Sequence, residues 1–516
     1  MRRVTEAITI LAVLSVVAGA AGAGPTKSCD SLNSFTLPGL SLAITKTEQL
    51  PAGPPPVFPF TPPFEGTIPA RCLVTGVIEK RTGHGGKPYG IEFSVALPDE
   101  WNGRFLFQGG GGFNGTLYPP LGFYASGHQL AIERGFAVVS TDGGHKGAVF
   151  DGAFFEDQEA TLNFLYRAND KVTQVAKALV AAYYGRPPEH SYFVGCSTGG
   201  REAMMMSQRF PGYFDGIVAG APAMRTSYSG IGDRLIFTQL NAIAPRDDKG
   251  KPVTARALSD GDRALVIKSL LKACDAKDGA ADGMIFDVEH CGFDPTTLVC
   301  KGAKTDACLS AEQARAVKVG FAGPKDSRGV QVYPGFWYDT GIANTRGLPG
   351  LLVGPAPFFP DDRTSLDVDR EAALAATPNA MAGDTASWTE LNAFSSRGGK
   401  LLFVHGVSDN WFSAQDTTRY YQQLTADNGG AEAVMKWSRH FLVPGMGHCG
   451  GGDATLDQFD LLTSVVDWVE KGVAPDSVIA TGPAIPGRSR PLCAYPKHAH
   501  YKGAGDLEKA ENFECR

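Results

Sequence analysis

The sequence predicts an α/β protein built on a parallel sheet. Short β-branched and aromatic runs alternate with glycine-rich turns and helical patterns, as in folds where helices connect parallel strands. The chain has 516 residues and is 43% hydrophobic, enough to bury a sizeable core, and its length alone suggests roughly two to four domains. Its net charge of -6 gives no indication that nucleic acid or an anionic membrane is a partner.

The predicted elements follow one another along the chain. In the first half the predicted strands are RCLVTGVIEK, GIEFSVALP, GRFLFQ, the end of AIERGFAVVSTD, and HSYFVG. Apolar residues at helical spacing predict helices in LNFLYRANDKVTQVAKALVAAYYG and REAMMMSQRFP. Near the C-terminus the strands GGKLLFV and RHFLV alternate with the helices TTRYYQQLTA and QFDLLTSVVDWVEKG.

The alternation of strands and helices breaks between residues 225 and 390. This stretch holds four cysteines, an acidic glycine loop and clustered aromatic residues such as GFWYDTG. We interpret residues 225–390 as a lid domain inserted into the sheet domain. The sheet domain is then formed by residues 24–224 and 391–516, with a C-terminal disulfide segment.

Residues 1–23 have the pattern of a secretory signal peptide. Arg2 and Arg3 precede the apolar run ITILAVLSVV, and the small residues AGAAGAG follow. A membrane anchor is the alternative, but the apolar run is too short to span a bilayer comfortably. We therefore expect a secreted or periplasmic protein without a membrane partner after cleavage.

Export favours disulfides for the ten cysteines over thiol chemistry. Metal binding by cysteine is the rival interpretation, but no CxxC pair or zinc spacing is present. Neighbours in the sequence predict four local bridges: Cys29–Cys72, Cys274–Cys291, Cys300–Cys308 and Cys493–Cys515. Cys196 and Cys449 are left without a local partner.

Ser197 is the candidate nucleophile. The segment Gly195–Gly199 fits G-x-S-x-G and lies between a predicted strand and a predicted helix. Small residues allow the sharp turn that lifts the serine hydroxyl above the edge of a sheet. A bare G-x-S-x-G occurs by chance, so the strand-to-helix context is the stronger part of this signal.

A serine nucleophile needs a base and an acid that orients the base. Asp409 follows the strand LLFV and His448 follows the strand HFLV, so the chain order serine, acid, histidine is the one expected for a strand-to-helix serine turn. Asp416 and Asp453 are rival acids, although the first falls in a helix and the second lies beyond the histidine. Taken singly, Asp409 reads as a turn residue and His448 as a solvated loop residue.

Backbone N–H groups are expected to stabilise the oxyanion of an acyl-transfer reaction. One candidate donor is Thr198, the residue after the nucleophile. The other is Gly111, within the glycine run 109–112, where the absence of side chains lets amides approach a substrate. A flexible glycine loop without this role is the alternative.

Three segments together resemble the tannase and feruloyl esterase family, which also contains mono(hydroxyethyl) terephthalate hydrolases. They are GCSTGGREAMMMSQRFPGYFDGIVAGAPA, LLFVHGVSDNWFSAQDTTRYYQQL and FLVPGMGHCGGG. The resemblance covers most of the mature chain and implies an α/β-hydrolase fold with a large lid inserted between serine and acid. It also implies that Ser197, Asp409 and His448 form the triad and that a disulfide joins Cys196 to Cys449.

The resemblance implies hydrolysis of esters of aromatic carboxylic acids, such as ferulate or gallate esters, either as small molecules or on a larger polymer. Phe412 matches a substrate-facing aromatic of the terephthalate-ester members, although a core or surface role is the alternative. Lid aromatics would form the other walls for a ring. The candidates are Trp337, Phe358, Phe359 and Trp388.

An acidic loop in the lid, DAKDGAADG, gathers carboxylates on a turn-rich backbone. Oxygen donors on such a loop suit Ca²⁺, although the spacing is not that of an EF-hand and a solvated acidic turn is the alternative. The resemblance implies a structural calcium at this loop. Its ligands would be the side chains of Asp275, Asp278 and Asp282 and the carbonyls of Ala280 and Met284.

The expected function is therefore a secreted serine esterase acting on feruloyl, hydroxycinnamoyl or galloyl esters. A hydrolase of terephthalate half-esters is the alternative. A binding protein on an inactive hydrolase fold is a remote third, because a pure binder has no need of all three triad residues.

Overall fold

A nine-stranded sheet forms the centre of the structure, a computed structural model that describes residues 24–57, 64, 66–356 and 360–516. Its strands are β1 (Leu42–Leu50), β2 (Arg71–Thr82), β3 (Pro88–Pro98), β4 (Arg104–Gln108), β5 (Ala137–Thr141), β6 (His190–Cys196), β7 (Gly216–Gly220), β8 (Lys400–Gly406) and β9 (Ser438–Val443). Their order across the sheet is β1-β2-β3-β5-β4-β6-β7-β8-β9.

Six of these strands, β5-β4-β6-β7-β8-β9, are parallel to one another, and β1, β2 and β3 extend the sheet antiparallel at one end. All residues of β5 and β7 are buried, because helices cover both faces of a parallel sheet. Along most of β2, fully buried and partly exposed residues alternate. The predicted α/β class is confirmed; the antiparallel direction of the first three strands was not predicted.

Helices pack on both faces of the sheet, and one end carries two further hairpins. The helices are α1 (Gln158–Leu162), α2 (Ala168–Tyr184), α3 (Thr198–Arg209), α4 (Thr226–Ile243), α5 (Asp260–Cys274), α6 (Ala311–Phe321), α7 (Val368–Ala375), α8 (Pro378–Met381), α9 (Asn392–Ser395), α10 (Ala414–Asp427), α11 (Ala431–Val434) and α12 (Leu461–Lys471). The hairpin strands are β10 (Ser477–Ala480), β11 (Arg490–Cys493), β12 (Ala499–Tyr501) and β13 (Phe513–Cys515). Val175 and Leu179 of α2 pack with Phe105 on one face, whereas Val465 of α12 packs with Leu106 on the other.

Between β7 and β8 the described part of residues 221–399 contains helices α4 to α9 and no strand of the sheet. This insertion, residues 221–399, has an apolar core of its own, with Leu240, Leu270 and Val317 from three of its helices. Helices α5 and α6 each begin with a reciprocal capping box, the second formed by Ser310 and Gln313. Its role as a lid stays a prediction.

The ten cysteines form five disulfides, and these are the five pairs named in the sequence analysis. The bond between Cys196 and Cys449 spans 253 positions and encloses the whole insertion. The predicted signal peptide, residues 1–23, lies outside the described residues. Among the helices of the described residues, none combines the length and the apolar character needed to cross a bilayer.

Close packing between α3 and β7 gives a test of the fold. A Cβ atom at Gly200 would overlap the carbonyl oxygen of Gly220 and lie 2.9 Å from Cα of Pro222. We expect Gly200→Ala to lower the free energy of unfolding by about 1–3 kcal/mol, because backbone atoms cannot move aside. In Gly230→Ala the new methyl group meets no atom within 4 Å, and α4 should gain up to about 1 kcal/mol. Thermal melts should show shifts of opposite sign.

Candidate active site

Ser197 lies at the sharp turn between β6 and α3. Its backbone has φ 63° and ψ -122°, a conformation that costs free energy in a residue with a side chain and that clusters at functional sites. The Ser197 N–H donates to the carbonyl of Gly220 at 3.0 Å, and a Cβ at Gly195 would lie 2.6 Å from the backbone of Gly199. The flanking glycines therefore allow the turn that holds the serine.

Asp409 and His448 meet at the carboxyl ends of the adjacent strands β8 and β9. His448 Nδ1 lies 2.7 Å from Asp409 Oδ2, and both side chains are buried. Because an ionised carboxylate only accepts, Nδ1 carries the hydrogen and Nε2 presents a lone pair. His448 Nε2 is buried and has no hydrogen-bond partner among the described residues. This is the atom that a catalytic base uses.

The serine loop is tied to the histidine loop by the disulfide between Cys196 and Cys449, whose Cα atoms are 6.0 Å apart. Each cysteine is the direct neighbour of Ser197 or His448, so the bond limits how far the two residues can separate. The structure therefore brings Ser197, His448 and Asp409 to one edge of the sheet, with a hydrogen bond between acid and base. His448 Nε2 makes no hydrogen bond to the Ser197 hydroxyl in this structure. Hydrogen bonds between a nucleophile and its base are often long or misaligned until the substrate binds.

The carboxylate of Asp409 is fully enclosed by donors. Oδ1 accepts from the N–H groups of Trp411 at 2.8 Å and Phe412 at 3.0 Å, and Oδ2 accepts from His448 and from His405 Nε2 at 3.2 Å. Burial acts to raise the pKa of Asp409, but attraction to His448 in its protonated form and the hydrogen bonds from both histidines outweigh it, and the net pKa is lowered. Asp409 is therefore ionised.

The rival acids lie in other interactions. Asp416 is in α10 and forms an ion pair with Arg225. Asp453 accepts a hydrogen bond from the N–H of Thr345 at 2.8 Å and is exposed. Neither carboxylate has a hydrogen bond to His448 among the described residues.

The insertion contacts the loops that carry Asp409 and His448 through Asp339. Oδ2 of this buried carboxylate accepts from Ser408 Oγ at 2.7 Å and from the N–H of Gly445 at 2.6 Å. Ser408 directly precedes the acid, and Gly445 lies three residues before His448. One side chain of the insertion therefore connects the acid loop with the histidine loop. The sequence analysis did not identify it.

The glycine run beside Ser197 is held by α3. The buried carboxylate of Glu202 accepts from the N–H of Gly110 at 2.9 Å, and the hydroxyl of Thr198 donates to the carbonyl of Gly112. No atom lies within 4 Å of the position that a Cβ of Gly111 would take, so this glycine borders open space. The candidate oxyanion donors, Thr198 and Gly111, thus belong to two segments that are fixed to each other.

Aromatic rings lie beside His448. The Trp411 ring centroid is 4.7 Å from that of His448, and the Phe412 centroid is 5.2 Å from it. Phe150, at a positive φ of 69°, packs edge-to-face on Trp411 at 5.6 Å. Sequence reasoning named Phe412 but missed Trp411 and Phe150. The signal for Trp411 was its place beside Phe412, directly after the acid loop.

The other predicted ring-binding residues are placed differently. Trp388 packs against the guanidinium of Arg209, the last residue of α3, whereas Ser197 precedes the first residue of this helix, which is about 18 Å long. Trp337 packs against the core of the insertion. Phe358 and Phe359 lie outside the described residues.

The acidic loop binds its own backbone. Asp275 Oδ2 accepts from the N–H of Gly283 at 3.0 Å, and Asp278 Oδ2 accepts from the N–H of Phe286 at 2.9 Å. Burial raises the pKa of Asp278 to about 7, and the charges of Asp282 and Asp275 add to this effect. The carboxylates of Asp275, Asp278 and Asp282 repel one another, and carboxylate oxygens are the ligands that a hard cation such as Ca²⁺ prefers.

In this structure the carboxylates of the loop are not arranged around a common point. Asp282 also forms a buried ion pair with Arg490. Within the described ranges, no three His, Cys, Asp or Glu side chains converge as they do around a bound ion. Ala280 and Met284, the proposed carbonyl donors, are buried beside these acids.

Comparison with known proteins identifies the family of the chain. The family model described as tannase and feruloyl esterase matches residues 72–350 and 362–516. The mono(2-hydroxyethyl) terephthalate hydrolase of Piscinibacter sakaiensis is 40% identical over 517 residues, covering 87% of this chain and 85% of that protein. A probable feruloyl esterase B-2 of Aspergillus terreus is 32% identical, covering 82% of each chain.

Solved structures show the same fold. The crystal structure of feruloyl esterase B from Aspergillus oryzae matches with a TM-score of 0.77 and 26% identity, covering 95% of this chain and 99% of that one. Tannin acyl hydrolase from Aspergillus niger, at 24% identity, matches with a TM-score of 0.69. The predicted α/β-hydrolase fold is confirmed. With this sheet, this serine turn and these relatives, the chain belongs to the tannase and feruloyl esterase family and is a carboxylic ester hydrolase.

Proposed function

We propose that the chain is an exported serine esterase that hydrolyses esters of aromatic carboxylic acids through Ser197, His448 and Asp409. The observation that carries the proposal is the buried contact between Asp409 and His448, which leaves Nε2 of the histidine without a hydrogen-bond partner among the described residues. The five disulfides and the predicted signal peptide support export.

In the proposed reaction the Ser197 hydroxyl attacks the ester carbonyl carbon while His448 Nε2 takes its proton. The N–H groups of Thr198 and Gly111 stabilise the negative oxygen of the tetrahedral intermediate. Collapse breaks the bond to the alcohol, which leaves with the proton from His448. Water then attacks the acyl-enzyme by the same route, which releases the acid and restores the serine.

An aromatic acyl group is favoured by the rings beside the base. Trp411 and Phe412 both contact His448, so a ring of the acyl group would pack on them while its carbonyl reaches Ser197. Feruloyl, hydroxycinnamoyl and galloyl esters fit this surface, either free or on a polymer. A terephthalate half-ester is the second candidate, favoured by Phe412 and by the relative that is 40% identical.

We also propose that Ca²⁺ binds the acidic loop in a structural role. The side chains of Asp275, Asp278 and Asp282 and the carbonyls of Ala280 and Met284 would hold it. The ion would neutralise carboxylates that otherwise repel one another. The esterase chemistry needs no contribution from it.

Replacement of the nucleophile tests the chemistry. Ser197→Ala should fold normally and lose ester turnover by about 10⁴-fold or more, because the other hydroxyl of the turn, that of Thr198, donates to the carbonyl of Gly112. Initial rates on methyl ferulate, with the melting temperature as the folding control, measure this. A folded variant that keeps most of its activity would show that Ser197 is not the nucleophile.

Phe412 tests the choice of acyl group. Phe412→Ala should lower kcat/KM for methyl ferulate by roughly tenfold and affect methyl hexanoate much less, because the lost contact is made with an aromatic ring. Trp388→Ala is the matched control, since that ring lies at the far end of α3. Parallel assays on methyl gallate, chlorogenate and a terephthalate half-ester identify the preferred acid. If kcat/KM falls equally for methyl ferulate and methyl hexanoate, Phe412 does not contact the aromatic acyl group.

Removal of calcium should destabilise the protein. By mass action, an ion present at 100 times its Kd stabilises the folded state by about 2.7 kcal/mol, so chelation should lower the Tm. The Tm of Asp278→Asn should be lower than that of the wild type and should not change with chelator. Asp248 is exposed, so the Tm of Asp248→Asn should fall on chelation as it does in the wild type. Metal analysis measures whether the protein contains calcium, and thermal melts measure whether calcium stabilises it. A wild-type protein without calcium, and with the same Tm after chelation, would leave the loop as an acidic turn.

A further inference from the structure

A second histidine, His405, contacts the triad acid and has no part in the reaction described above. It is the sixth residue of β8, and its side chain is fully buried. His405 Nε2 lies 3.2 Å from Asp409 Oδ2 and 3.0 Å from the carbonyl oxygen of Phe412. Its other nitrogen, Nδ1, lies 2.8 Å from the hydroxyl oxygen of Thr417 in α10.

The partners of His405 fix its tautomer. Nε2 faces a carboxylate oxygen and a carbonyl oxygen, which can only accept hydrogen bonds, so Nε2 must carry a hydrogen. In the neutral ring Nδ1 then has a lone pair, and the hydroxyl of Thr417, which can donate or accept, donates to it. Reversal of the tautomer would place a lone pair against two acceptors. The two acceptors therefore select the tautomer that donates to Asp409, and Thr417 holds the ring in place through Nδ1.

We propose that His405 is a positioning residue for the triad acid, oriented by Thr417, and that its Nε2–H holds Asp409 and the Phe412 loop in the geometry that catalysis requires. This inference rests on the proposed triad. Asp409 Oδ2 is shared by His405 and His448, so a shift of the carboxylate moves the hydrogen bond that sets the tautomer of the base. The carbonyl of Phe412 accepts from the same N–H, so the ring beside His448 is held as well.

The adjacent residue of α10 provides a matched control. The hydroxyl of Thr418 lies 3.1 Å from Nε2 of His440, another fully buried histidine. Among the described residues, His440 has no hydrogen bond to Asp409, and burial lowers its pKa to about 3, so it is neutral. Thr417→Val and Thr418→Val each remove one buried threonine–histidine hydrogen bond, but only the first of these histidines touches the acid.

The experiment compares four variants of the full-length protein, with a serine-directed inhibitor used to count functional sites. His405→Leu should lower kcat by roughly tenfold to a hundredfold with KM changed less than about threefold, because small misplacements of catalytic groups are costly in rate. His405→Gln can restore a donor near the Nε2 position and should recover most of the lost kcat. Thr417→Val should lower kcat about threefold to tenfold, and Thr418→Val should leave it unchanged at a similar Tm.

Several results would overturn the role of His405. If His405 only fills space in the core, the kcat of His405→Gln should be no higher than that of His405→Leu. In that case Thr417→Val should also lower kcat no more than Thr418→Val does. If His405→Leu does not fold, the comparison of the two threonine variants decides alone. Failure of the proposed triad would appear separately, as activity retained by Ser197→Ala.

Discussion

A carboxylate that is both ionised and shut off from water is the constraint on which this site depends. Asp409 has no exposed side-chain surface, and an unpaired charge in that position would be strongly destabilising. Its four hydrogen-bond partners come from two residues of its own loop, from strand β8 and from the loop after β9. The need to satisfy this charge therefore fixes the relative positions of several segments, and His448 is one of the groups placed by it.

The insertion and the sheet domain meet at the same place. Asp339 reaches from the insertion to the residues beside the acid and the base, and Ser413 at the start of α10 donates to the carbonyl of Gly335. The insertion, for which we predict a role as a lid, is therefore attached to the loops that carry Asp409 and His448. Changes in the insertion that disturb Asp339 should displace these two residues as well.

The parts of the molecule that sequence predicts are the local ones. The turn at Ser197 is encoded within five residues by glycines between a strand and a helix, and the pairing of Asp409 with His448 could be predicted because each residue follows a recognisable strand. His405, Glu202 and Asp339 were missed because each is a single polar residue in or beside apolar sequence. For Glu202 and Asp339 the partners lie 69 to 106 positions away. The starts of helices α5 and α6 could have been predicted from the sequence, because each helix begins with a capping box.

Strand order has a consequence for synthesis of the chain. β7 pairs with β6 on one edge and with β8 on the other, but β8 begins at Lys400, after the whole insertion. A chain growing from its N-terminus therefore carries β7 with one open edge until residue 400 has been made. Exposed strand edges invite pairing with other chains. The open edge of β7 during synthesis is a consequence of strand order and not of catalysis.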